Sequence, residues 1–113
     1  VDVPEERINA LSAVSGSGPA YVYFLIEQLT EASRALGFSE EESRLMVEQT
    51  FLGAAELLAA SDAGPEELRR RVTSPKGTTE RAIAVMAAAD LAGMFGRAAE
   101  AAIARAEEMA RGV

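Results

Sequence analysis

The chain has 113 residues and 11.9 kDa, with 18 acidic against 11 basic side chains, a net charge of −7 and a pI near 4.6; this bounds it at one modest domain and argues against nucleic acid or an anionic membrane as partner. With no Cys and no His, disulfides, thiolate nucleophiles, imidazole bases and most transition-metal sites are excluded, so no metal site is expected and any chemistry rests on hydroxyls, carboxylates, Lys, Tyr or backbone dipoles. No apolar run approaches the roughly 18 residues of a membrane span, and Glu5, Glu6 and Arg7 come too early for a signal peptide, so a soluble, cytoplasmic protein is expected.

Residues 1–4 read as the tail of a linker, with Pro4 suited to the start of a helix. Residues 5–14 predict a short helix with Ile8, Leu11 and Ala13 or Val14 inward, although NALSAV also suits a strand. The Gly-x-Gly of SGSGP at 15–19 invites comparison with dinucleotide-binding loops. The third small residue of that fingerprint would fall at Tyr21, however, so no coenzyme-binding residue is assigned. A helix break and restart is expected instead, with Ser17 or Gly18 capping and Pro19 at the first helical position. From Ala20 to Ile26 every residue is apolar or aromatic, which one helix face cannot hold. Such a helix is buried nearly all round, by a second chain or, alternatively, by its own neighbours. It is expected to run through Leu29 and Leu36 and to stop at Gly37 as C′.

Ser39-Glu40-Glu41-Glu42 has the form of a capping box, with three acids complementing the dipole of the next helix. Leu45, Met46, Leu52, Ala55, Leu58 and Ala59 keep helical spacing until SDAG at 61–64, and Gly53, costing ~1 kcal/mol against Ala, suggests close approach of another helix or, alternatively, a tolerated lapse. Pro65 opens a short helix to about Val72, whose Arg69, Arg70 and Arg71 suit a C-terminus. The stretch VTSPKGTTERAIAVM at 72–86 is the most polar and most sharply punctuated of the chain. Pro75 fixes its own φ and pushes Ser74 out of the α region, and Gly77 permits positive φ, so a tight loop before a helix from about Thr78 is predicted. Thr73, Ser74, Thr78, Thr79 and Lys76 gather at that helix start. Two readings stand: an ordinary N-cap, with Gly-Thr-Thr-Glu resembling an imperfect capping arrangement, or an anion site on free N–H groups. Ile83 and Met86 mark a helix of about three turns, and Asp90 can cap the last one. That helix turns Met94 or Phe95, Ala98, Ala102, Ile103, Ala106 and Met109 inward and ends near Gly112, while Gly93, Gly96 and many alanines suit tight packing. The sum is an all-α fold of about six helices in one domain, 1–113.

AVSGSGPAYVYFLIEQL (13–29) and VTSPKGTTERAIAVM (72–86), with LGAAELL (52–58) between them, together resemble pyrroline-5-carboxylate reductase, specifically its C-terminal helical dimerisation domain, over essentially all 113 residues. The resemblance implies reduction of 1-pyrroline-5-carboxylate to L-proline, the last step of proline biosynthesis, with NADPH or NADH held by an N-terminal Rossmann domain that precedes Val1 and is absent from this chain. It also implies an interlocked homodimer, of the helical kind found at the C-terminus of 6-phosphogluconate dehydrogenase, that can build a ring of dimers. Ser74, Lys76, Gly77, Thr78 and Thr79 then form the loop that receives the carboxylate of the small imino acid, near the nicotinamide bound to the partner subunit. By the same resemblance Thr79 is the candidate catalytic residue, and since a free hydroxyl is a poor acid, its expected role is to orient the imine or relay a proton from water. Family members commonly carry Gly-Gly where this chain has Lys76-Gly77, a departure that bears on the loop conformation. The isolated chain is expected to bind no coenzyme and to be inactive. The competing reading is a stand-alone helical dimerisation or scaffold module, which a start codon just before Val1 would favour over an upstream strand with Gly-x-Gly-x-x-Gly. A helical domain from another dehydrogenase would share the helices but lack Ser-Pro-x-Gly-Thr-Thr.

Overall fold

Helix formers fill the chain between a few turn residues, and the computed structural model, which describes residue 4 and residues 7–112, follows that punctuation. Among the described residues there are six α-helices and one π-helical turn and no strand: α1 (Ile8–Leu11), the π-turn (Ser12–Gly16), α2 (Gly18–Ala35), α3 (Glu40–Ala60), α4 (Pro65–Arg71), α5 (Thr78–Ala88) and α6 (Leu91–Ala110). Two compact units result, one from Val1–Val22 with Met86–Val113 and the other from Tyr23–Val85. The expected linker tail at Val1 to Val3, and Glu5 and Glu6 of the first expected helix, lie outside the described residues.

In the first unit, α1 and the π-turn pack on α6. The segment around NALSAV is helical, which removes the strand alternative, and the expected break and restart at SGSGP is present: a π-turn ends at Gly16, Ser17 is a bend, and α2 starts at Gly18. The Ser17 N–H donates to Ser12 O at 2.9 Å, five residues back, so the helix widens just before it breaks. Widening frees the Ala13 carbonyl, and the Tyr21 hydroxyl donates to it at 2.6 Å. Ser17 is the residue before α2, its carbonyl accepting from the N–H groups of Ala20 and Tyr21, and Pro19 stands at the second helical position, one later than expected. Ala13 is the inward residue of this segment, being 3% exposed, whereas Ile8 and Val14 face out. Asp90 caps α6 as expected: it adopts φ 52 and its Oδ1 accepts from Gly93 N–H at 3.1 Å. A Cβ at residue 93 would lie 2.1 Å from Asp90 Oδ2, so the glycine makes room for the cap. Of the α6 residues expected inward, Ala102, Ile103 and Ala106 are half-buried, but Met94, Phe95, Ala98 and Met109 are exposed.

In the second unit, α2 ends in a Schellman arrangement, with Gly37 at φ 107, Gly37 N–H to Arg34 O at 3.0 Å and Phe38 N–H to Ser33 O at 3.4 Å. The capping box of α3 is complete, Ser39 Oγ accepting from Glu42 N–H at 3.1 Å and Glu42 Oε1 from Ser39 N–H at 2.8 Å. The Ser39 backbone N–H foremost, and the Ser39 hydroxyl after it, hold the Glu42 carboxyl below its ordinary range. At the end of α4, Arg70 pairs with Glu66 and Glu67, and Arg71 with Glu67.

Burial is where single-chain packing stops short. Among the described residues only Ala13, Ser43 and Val47 are buried, in a chain that is 49% hydrophobic. On α2, Tyr23 and Phe24 are 66% and 59% exposed, and Val22, Leu25 and Leu29 are also open. The space beside Gly53 is likewise empty, a Cβ there meeting nothing within 4 Å, so the close neighbour expected at that glycine is not supplied within the chain. Among the described residues no single helix is long and apolar enough to cross a membrane.

Candidate functional site

The loop between α4 and α5 lies wholly in the Tyr23–Val85 unit. α4 ends with its own satisfied carbonyl, Thr73 Oγ1 donating to Arg69 O at 2.5 Å, so this hydroxyl serves the helix end and leaves the polar cluster. Residues 74–77 then form a turn closed by Gly77 N–H to Ser74 O at 3.0 Å. Pro75 occupies the second position and Lys76 the third with φ 61, which is the pattern of a type II turn. Left-handed backbone was expected at Gly77, yet Lys76 adopts it, at a cost of ~1–2 kcal/mol for a side-chain-bearing residue. Glycine at 77 relieves a different contact: a Cβ there would sit 3.1 Å from Ser74 O and 3.3 Å from Ser74 Cβ, closer than ordinary van der Waals contact. We expect Gly77→Ala to loosen the turn by about 1 kcal/mol, seen as roughly fivefold faster amide exchange at residue 77; an unchanged rate would mean that the Ser74 carbonyl yields freely.

Gly77 precedes α5, and the capping arrangement there is indeed incomplete. Glu80, third in the helix, does not reach the N–H of Gly77, which the turn has taken. Its Oε1 accepts instead from Lys76 N–H at 2.9 Å. The N–H groups of Thr78, Thr79 and Glu80 have no acceptor among the described residues, and neither the Ser74 nor the Thr78 or Thr79 hydroxyl has a hydrogen-bond partner there. The Gly77 donor closes the turn, so the free set begins at Thr78. Ser74, Lys76, Thr78 and Thr79 are exposed and Gly77 is half-buried. Such a start, with the positive end of an 11-residue helix dipole behind it, can hold a carboxylate through fixed N–H donors and hydroxyls. The spacing Gly-Thr-Thr-Glu marks Glu80 as an imperfect capping partner, but its bond to the Lys76 N–H, one residue before the expected donor, depends on the turn having taken Gly77.

Beside the loop, α3 and α4 line an open apolar groove of 430 Å³ that includes Gly53, Leu57, Leu58, Leu68 and Val72. Residues 16–18 lack the strand–turn–helix setting of a dinucleotide fingerprint. Their backbone belongs to the π-turn and the start of α2, where no strand leads in, and Tyr21 occupies the third small position. Among the described residues no group of three or more acidic side chains is arranged to hold a metal ion.

The sequence profile of the family described as pyrroline-5-carboxylate reductase dimerisation matches residues 5–109. A pyrroline-5-carboxylate reductase of Pseudomonas aeruginosa is 46% identical over 106 residues, which are 94% of this chain and 39% of that protein. One from Corynebacterium melassecola is 38% identical over 111 residues, covering 98% and 41%. Among solved structures, a pyrroline-5-carboxylate reductase from Coxiella burnetii superposes with a TM-score of 0.89 at 43% identity, over 95% of this chain and 40% of its own. Plasmodium falciparum pyrroline carboxylate reductase with NADP bound gives 0.87 at 32% identity, over 96% and 42%. This chain thus spans about two fifths of the length of the relatives it matches. With nearly every residue inside the family profile, and the Ser-Pro-x-Gly-Thr-Thr turn built at the start of α5, the chain belongs to the pyrroline-5-carboxylate reductases as their C-terminal dimerisation region.

Proposed function

We propose that in the full-length protein this chain forms the homodimeric half of a cytoplasmic, NAD(P)H-dependent reductase that converts 1-pyrroline-5-carboxylate to L-proline, and that its loop holds the substrate carboxylate. The observation that carries the reading is the bare start of α5 in a chain of this family: N–H groups of Thr78 and Thr79 without acceptors, flanked by free hydroxyls of Ser74 and Thr79 and the Lys76 side chain. Fixed dipoles of this kind hold an anion without reorganising. Gly77 contributes by the Cβ it lacks, which keeps the turn closed. Thr79, second in the helix, orients the imine nitrogen or relays a proton to it from water. A second copy covering the open face of α2 accounts for its exposed Tyr23, Phe24 and Leu29.

The residues here do not fit a dinucleotide, so coenzyme binding is assigned to an N-terminal Rossmann domain in the remainder of the full-length protein. The 113-residue chain should therefore give a flat calorimetric titration with NADPH, and micromolar binding would mean that residues 16–18 hold phosphate after all. The direct test is an assay of the full-length protein with 1-pyrroline-5-carboxylate, following nicotinamide oxidation and proline formation. Turnover with both is expected; a folded protein that oxidised neither NADPH nor NADH with this substrate would overturn the reading.

A further inference from the structure

Lys76 is left-handed where glycine is the natural occupant of a type II turn, and a side-chain-bearing residue keeps such a backbone only where its surroundings hold it there. The holding contact is visible. Glu80 Oε1 accepts from Lys76 N–H at 2.9 Å, tying the strained residue to the first turn of α5. In an ordinary capping box the third helical residue reaches back to the N–H just before the helix. Here that donor, on Gly77, already closes the turn onto Ser74 O at 3.0 Å, and Glu80 reaches one residue further. The two bonds interlock, one shutting the turn and the other fastening it to the helix whose free N–H groups lie at Thr78, Thr79 and Glu80.

We propose that Glu80 is the positioning residue of the loop: its carboxylate holds Lys76 left-handed, and so lets this chain keep the turn without a glycine at 76. The proposal rests on the reading of the loop as the substrate-carboxylate site. Glu80 acts through its acceptor oxygen and does not touch substrate. Its charge is a cost to an anion bound nearby, which separates this role from a plain interaction with the helix dipole, where charge is all that matters.

The test uses the full-length protein with Glu80→Ala and Glu80→Gln, each alone and with Lys76→Gly, reading KM and kcat for the imino acid together with amide exchange of the loop by mass spectrometry. Glu80→Ala should raise KM about tenfold with kcat within twofold, and speed loop exchange by a similar factor. Glu80→Gln should rescue both, since an amide oxygen still accepts the Lys76 N–H. With glycine at 76 the Glu80→Ala effect should shrink to within twofold. If Gln proved as harmful as Ala, or the Ala effect were equal with Lys or Gly at 76, Glu80 would act by charge on the helix and the proposal would be overturned. The exchange pattern as expected with KM unmoved in every variant would uphold the clamp and overturn the carboxylate-site reading instead.

Discussion

Thr79→Ala in the full-length protein is expected to lower kcat/KM about a hundredfold, the size of loss that follows when a reacting group is no longer correctly oriented. Thr79 stands second in α5, at the helix start where three backbone donors are free, so its hydroxyl can meet the imine while its N–H meets the carboxylate. Ser74→Ala, which removes one neutral donor to a charged group, should mainly raise KM, by about tenfold. Lys76→Gly should change KM less than threefold, because the turn wants a left-handed residue at that position and glycine adopts this freely. Normal catalysis by Thr79→Ala alongside dead Lys76→Gly would show that the loop works by side-chain charge, and the roles given to Thr79 and Lys76 would be wrong.

Light scattering on the 113-residue chain at micromolar concentration should give twice the chain mass, and Phe24→Glu should abolish the dimer. Phe24 is 59% exposed and lies in an unbroken apolar run of α2, so a second copy has the most to gain by covering it. Burying such a side chain is worth ~1.5–3 kcal/mol, and a twofold interface loses it twice. A carboxylate in its place adds desolvation. The dissociation constant should rise at least about a thousandfold. Circular dichroism distinguishes a folded monomer from one that unfolds once unpartnered, and both support an interface at α2. A wild-type monomer would remove the dimer, and a dimeric Phe24→Glu would move the interface elsewhere.

Much of the fold was legible because its signals are local. Gly37 at the end of α2, Ser39 and Glu42 at the start of α3 and Asp90 before α6 each act within a few residues, and each does what its residue type suggests. The π-turn was hidden because one extra residue in a turn leaves no mark on composition, and SGSGP marks the break and not the widening before it. Tyr21 was legible only as an apolar residue, since its bond to Ala13 O depends on that widening. The exposed Met94, Phe95 and Met109 show the limit of periodicity: it tells that a helix has an apolar face, and not whether its own chain covers it. At the candidate site, the existence of a turn before α5 followed from Pro75 and Gly77, but the choice between Lys76 and Gly77 for the left-handed position did not. That choice depends on which carbonyl the turn closes on: with Gly77 N–H bonded to Ser74 O, Lys76 falls at the third position of the turn, and Glu80 Oε1 reaches back to its N–H.

Lys76 is the sole lysine of the sequence and is exposed at the tip of the loop. Apart from the terminal amine, amine-directed reagents have a single target here, and a lysine-specific endoprotease has a single bond to cut, between Lys76 and Gly77. Acylation or cleavage at that point therefore reads the accessibility of one loop, with no background from the rest of these residues.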